Sequence, residues 1–293
     1  MKLLYMNAPL TPTLLITLIF VVLPVSLFAH EAIVVKGETE AIVVTDPEVG
    51  RVYLGELKDG ASATYRVVAK SPWNLYLSLL VPRSSNPDGK YDAMLYDVGR
   101  ERIVAVLERG DRPWYPYYEL FGADRYLRGP VLLKSMPEGE FKIIVTGPEN
   151  IGRYALVLGD EEKFALGDVF DSIGKMAENK RNFFDVSPVT LIASPIALVY
   201  AISLLSIGAI FGRVLRYGAG FFRKNKGTPQ AKTNLRRRDR WVRFLLGAIT
   251  LLLCITTTWN PFLFIVSGFL FYEGLTGWCG LVEFLCIWKC DAK

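Results

Sequence analysis

The stretch GLTGWCGLVEFLCIWKC, residues 274–290, carries three cysteines in otherwise apolar surroundings. Cys279, Glu283, Cys286 and Cys290 are spaced four, three and four apart. On a helix they share one stripe and present three soft sulfur ligands beside a carboxylate. The same spacing suits a reactive thiol, a lipid attachment point, or small polarizable side chains packed between helices in lipid. Gly274, Gly277 and Gly280 argue against an unbroken helix through Cys279. Close packing is the preferred reading, and metal or thiol chemistry is the alternative.

His30 is the only histidine, which excludes zinc and copper sites that need two histidines within one copy and leaves a Ser-His triad no base but His30 itself. If the chain is cleaved after Ala29, the new amine and the His30 imidazole make a copper chelate; the plainer reading is a residue flanking the cleavage site. No G-x-G-x-x-G or G-x-x-x-x-G-K-[ST] occurs, so nucleotide binding has no local support. Trp114, Tyr115, Tyr117, Tyr118, Phe121 and Tyr126 crowd one short stretch, with Asp111, Glu119 and Asp124 among them. Such rings form a stacking platform for a sugar or an aromatic partner. The alternative, preferred here, is a long loop folding its rings over one end of a core. Asp88 and Asp92 in NPDGKYD echo a calcium loop weakly, and a plain turn is preferred. No cofactor is expected.

Those residues need elements to carry them. The chain has 293 residues, is 51% apolar, and bears +5 overall. Residues 213–243 hold eleven Lys/Arg against one acid, a net +10, which leaves −5 for the rest. The basic balance is therefore local and names no nucleic-acid partner. It marks a cytoplasmic loop between membrane spans.

Residues 1–29, with an apolar core containing Pro24, read as a signal peptide or an N-terminal anchor. Residues 30–160 alternate short Val/Ile/Leu/Tyr runs with turn stretches such as KDGA and MPEGE. That pattern predicts eight strands in a mainly β, extracytoplasmic domain: an antiparallel, jelly-roll-like β-sandwich. It has no cysteine, so its core alone must hold it. Residues 161–187 predict an amphipathic juxtamembrane helix, packed on the sandwich or laid on the membrane with Phe183 and Phe184 at the interface. Residues 188–212 predict a transmembrane helix, 213–241 a basic cytoplasmic loop, and 242–290 a transmembrane hairpin turning near Asn260 with a Cys-containing tail. Arg236, Arg237, Arg238 and Arg240 suit anionic headgroups. The sandwich is then outside and the C-terminus inside, where stable disulfides are disfavoured.

From Asn234 onward the chain resembles the YgaP-like transmembrane domain. The likeness rests on Asn234-Leu235, Asp239-Arg240, Arg243-Phe244 and Gly247 at the entry, and on Thr276-Gly277-Trp278-Cys279 and Cys290 at the exit. Gly280 replaces the proline usual after the first cysteine, and Cys286 is an addition. No rhodanese domain is present, so sulfurtransferase activity does not follow. The resemblance implies a membrane hairpin that self-associates into a homo-oligomer. The stretches DPEVGRVYLGEL, YYELFGADRYLRGP and PEGEFKIIVTGPENIGRYALVLGD resemble a prokaryotic family of membrane-anchored β-sandwich proteins. The last of them is also similar to pre-peptidase C-terminal-like modules. Neither resemblance implies an activity.

The expected function is non-enzymatic: a sandwich tethered to the plasma membrane of a prokaryote that binds or scaffolds a cell-surface glycan or protein. The alternative is a thiol- or metal-handling inner-membrane protein working through its C-terminal cysteines.

Overall fold

The computed structural model describes residues 31–35, 41–110, 113–161, 166–225, 233–280 and 282–283. Residues 1–29, His30, Asp111, the centre of the basic loop, Cys286 and Cys290 lie outside the described residues. The chain forms two units, one ending at Thr190 and the other running from Leu191.

Among its described residues the first unit holds eleven strands: β1 (Glu31–Val34), β2 (Ile42–Val44), β3 (Arg51–Leu57), β4 (Ala63–Ala69), β5 (Trp73–Pro82), β6 (Asp92–Asp97), β7 (Arg102–Leu107), β8 (Tyr115–Glu119), β9 (Asp124–Met136), β10 (Gly139–Thr146) and β11 (Gly152–Leu158). They pair in the orders β1-β3-β11-β5-β9-β8 and β2-β4-β10-β6-β7. With β1, β2 and β8 set aside, the remaining eight strands trace the path of a jelly roll, alternating between sheets except at the β6–β7 hairpin. The expected architecture is therefore present.

Two features depart from an all-antiparallel sandwich. β1 pairs parallel with β3, and β2 parallel with β4. Each strand crosses to the other sheet before the chain returns, so the returning strand runs in the same direction without needing a helical crossover.

Alternation builds the core. In β10, Phe141, Ile143 and Val145 point inward and are buried, while Lys142 points outward. In β4, Tyr65, Val67 and Ala69 do the same, and outward Arg66 forms a two-pronged pair with Glu140 at 2.6 and 2.9 Å. β11 is different: its last five residues are all buried. Its outer face is covered by Phe183 and Phe184, which cluster with Leu54, Leu80, Ala155 and Val157. These two rings follow α1 (Leu166–Asn182) and pack on the sheet.

The second unit contains α2 (Pro195–Asn225), α3 (Arg237–Thr257) and α4 (Pro261–Thr276). α2 starts later than residue 188, because residues Pro188–Ala193 form a 3-10 turn. The Ser194 hydroxyl then accepts the Ala197 N–H at 3.2 Å, and Pro195 fits the first helical turn. The helix also continues past residue 212 to Asn225, and α3 already begins at Arg237, so both ends of the predicted basic loop are helical. α3 and α4 are joined at Trp259, whose φ is 52°. Asn260 caps α4 by accepting the Phe262 N–H at 2.9 Å. Gly277, at φ 68°, ends α4 in the left-handed region. Among the described residues, two helices are long and apolar enough to cross a membrane, Pro195–Phe222 and Arg237–Thr257; α4 is shorter.

Candidate functional site

The aromatic stretch is a strand rather than a loop. β8 pairs antiparallel with β9 at the edge of the six-stranded sheet, opposing Tyr115 to Arg128 and Tyr117 to Tyr126. Pairing splits the predicted platform. Tyr115 and Tyr118 are about half exposed, at 49% and 46%, but three residues apart on a pleated strand they face opposite sides. Tyr117 is half-buried beneath the Arg128 guanidinium, 5.0 Å from its ring centre. Tyr126 is buried edge-on to Phe184, and burial drives its hydroxyl pKa well above 10.0. Trp114 packs partly on the core, lies against Gly129, and donates its indole N–H to the Arg109 carbonyl at 3.0 Å. The Glu119 carboxylate accepts the Phe121 and Gly122 N–H groups at 2.7 and 2.6 Å, closing the β8–β9 turn. The six predicted binding residues therefore do not form one surface. What remains accessible is the free edge of β8, with Tyr115, Tyr118 and Leu120.

Asp124 belongs to a different construction. Lys180, near the end of α1, is 2% exposed and places its ammonium 2.5 Å from the Asp124 carboxylate and 2.9 Å from the Ala123 carbonyl. Burial raises the Asp124 carboxyl to about 6, although the Lys180 charge opposes the shift. Beyond Lys180 the chain is held as a strap. Ser84 and Ser85 donate to the carbonyls of Phe184 and Phe183, and Arg153 bonds both the Phe183 carbonyl and the Asp185 carboxylate. Asp92 accepts the Arg109 N–H at 2.6 Å, so it braces a β-hairpin, in keeping with the plain turn expected for NPDGKYD.

The cysteine stretch sits in a polar knot that the spacing alone did not reveal. Asn234 accepts the Cys279 N–H at 2.7 Å and donates to the Cys279 carbonyl at 2.9 Å and the Glu283 carboxylate at 3.0 Å. The Glu283 N–H reaches the Cys279 carbonyl at 3.1 Å, a new helical turn after the break at Gly277. Arg240 donates to the carbonyls of Gly274 and Leu275, satisfying the C-terminal end of α4. Arg243 pairs with fully buried Glu273 at 2.7 Å. Cys279 and Glu283 are both buried. Among the described residues, no three His, Cys, Asp or Glu side chains are grouped to hold a metal. Cys254 is buried in α3, with its thiol 3.5 Å from the Asn260 carbonyl. Glu273 was missed from sequence, although an acid inside the apolar run FLFYEGL is the signal that could have found it.

Asn234, Arg240, Arg243, Gly277 and Cys279, which carry the resemblance to the YgaP-like domain, thus meet in space. No match was found among curated proteins. Of solved structures, the pre-peptidase C-terminal domain of collagenase from Bacillus anthracis is similar at 15% identity and a TM-score of 0.26, over 41% of this chain and 93% of that one. A β-glucosidase from Kluyveromyces marxianus is similar at 14% identity and a TM-score of 0.23, over 45% of this chain and 14% of that one. Likeness at that level carries no further inference. Residues 231–293 match the family described as inner membrane protein YgaP-like, transmembrane domain, and with the long apolar helices this makes the chain a membrane protein.

Proposed function

We propose that the chain is a non-enzymatic, membrane-tethered protein whose sandwich lies outside the cell and binds a surface glycan or another protein. The observation that supports this best is the free edge of β8, where Tyr115, Tyr118 and Leu120 are exposed beside a filled core. Pro116 lacks an N–H, which weakens backbone pairing with another strand and leaves recognition to these side chains. The basic residues of 213–243 favour a cytoplasmic location for that loop and for the C-terminus. The test is a photo-crosslinking side chain at position 115 or 118 in living cells. A discrete adduct with glycan or protein is expected. Absence of adducts at both positions, with the sandwich intact, would sink the reading.

A second reading, thiol or metal handling, draws on Asn234 holding Cys279 and Glu283 in one turn. Replacing Cys279, Cys286 and Cys290 with Ala should leave expression and particle size unchanged if the thiols only fill space. Zinc or copper retained by the wild type and lost from the triple variant would favour this second reading.

A further inference from the structure

The family match covers residues 231–293, which hold α3 and α4; α2 lies outside it. Yet α2 is fitted along the length of α4. A side chain at Gly208 would collide with the Ile265 carbonyl, and one at Gly268 with the Leu205 carbonyl, so each backbone nests against the other. The Tyr200 hydroxyl donates to the Trp259 carbonyl at 3.2 Å at one end, and Arg216 lies 6.0 Å over the Trp278 ring at the other. The opposite side of α4 is taken by α3: the Ser267 hydroxyl donates to the Gly247 carbonyl at 2.8 Å, and Gly274 approaches the Arg240 backbone. At 16 residues, about 24 Å, α4 is also too short to cross a bilayer core alone. It exposes only Pro261, Phe262 and Leu275, whereas α3 exposes Leu245, Leu246, Ile249, Leu252 and Leu253 along one side.

Helices in lipid gain little from hiding apolar surface and associate through close backbone approach at small residues. A two-helix hairpin with Gly268 facing lipid would therefore offer its groove to another helix. We propose that α2 is the resident partner of the hairpin: it fills the Gly268 groove from within the same chain, which closes that groove to a helix from outside. It is independent of what the sandwich binds.

The test uses the full chain with a protease site inserted within residues 226–232, purified in mild detergent and cut after folding. The piece containing α2 is expected to co-elute with the hairpin piece in equal amounts, and separation after cutting overturns the proposal. Gly208→Leu is expected to reduce co-elution at least tenfold, while Gly218→Leu, on the same helix but with nothing within 4 Å of an added Cβ, leaves it unchanged. Equal behaviour of the two overturns it. If Gly208→Leu fails to accumulate, the milder Gly268→Ala takes its place and is read against Gly218→Ala in the same way.

Discussion

The hydroxyls of Tyr65 and Tyr154 meet at 2.8 Å in the middle of the sandwich, joining β4 of one sheet to β11 of the other. Both rings are fully buried, and Tyr154 lies against Gly55, where any side chain would strike its ring. Polar atoms this deep are stabilised only by each other.

Removing one hydroxyl therefore leaves the other without its partner. Tyr154→Phe should cost about 1–3 kcal/mol, and the double change Tyr65→Phe with Tyr154→Phe less than the two single costs together. Tyr154→Ala, which also opens a cavity, should cost about 3–5 kcal/mol. Denaturant midpoints of the sandwich, followed by circular dichroism, give all three. Burial raises both hydroxyl pKa values above 10.0, Tyr154 to about 12. The folded state thus favours the protonated form: its contribution is complete below pH 10 and fades as pH rises through 12. A double Phe variant should lose less stability than wild type across that window.

Asp124 and Lys180 give a second pH signature. With the carboxyl raised from 3.8 to about 6, folding again favours the protonated form. Its contribution is fully present below about pH 4 and is lost as pH rises through 6. The thermal midpoint should fall across that interval, and Asp124→Asn should flatten the fall. Lys180→Met should cost about 3–5 kcal/mol above pH 6, where it leaves a buried carboxylate uncompensated, and less near pH 4. A wild-type midpoint that rises between pH 4 and 6 would contradict this account.

Topology can be read with cysteine probes in a background lacking Cys286 and Cys290. A membrane-impermeant maleimide should label Glu101→Cys, on an exposed turn, in intact cells. It should reach Thr228→Cys only after lysis, since the surrounding segment is strongly basic. The reverse pattern would place the sandwich in the cytoplasm.

Asn234 should govern access to Cys279. Its side chain holds both backbone groups of that residue, and Cys279 is fully buried. With Cys286 and Cys290 changed to Ser, Asn234→Ala should raise the rate of Cys279 alkylation at least tenfold. An unchanged rate would mean that packing alone closes the turn.

Local periodicity carried much of this architecture into the sequence. A strand's alternation is written in neighbouring residues, so Tyr65, Val67, Phe141, Ile143 and Val145 were legible as one-faced strand residues. The apolar runs of α2 and α3, and the breaker at Asn260-Pro261, were legible for the same reason. Less legible was β8, because four aromatic rings and two prolines between Pro113 and Tyr118 suit a loop as well as an edge strand.

Contacts between distant residues were decided only by the tertiary structure. Lys180 finds Asp124 across 56 residues, and Asn234 finds Cys279 across 45. Neither position carries a local pattern that names its partner. Burial of Tyr126 follows from Phe183 and Phe184 folding back on the sheet, so a tyrosine that looked available from sequence is enclosed. The packing of α2 on α4 likewise depends on Gly208 and Gly268 meeting a facing backbone. A glycine in sequence marks only a missing side chain, and the close approach it permits exists once the helices are packed.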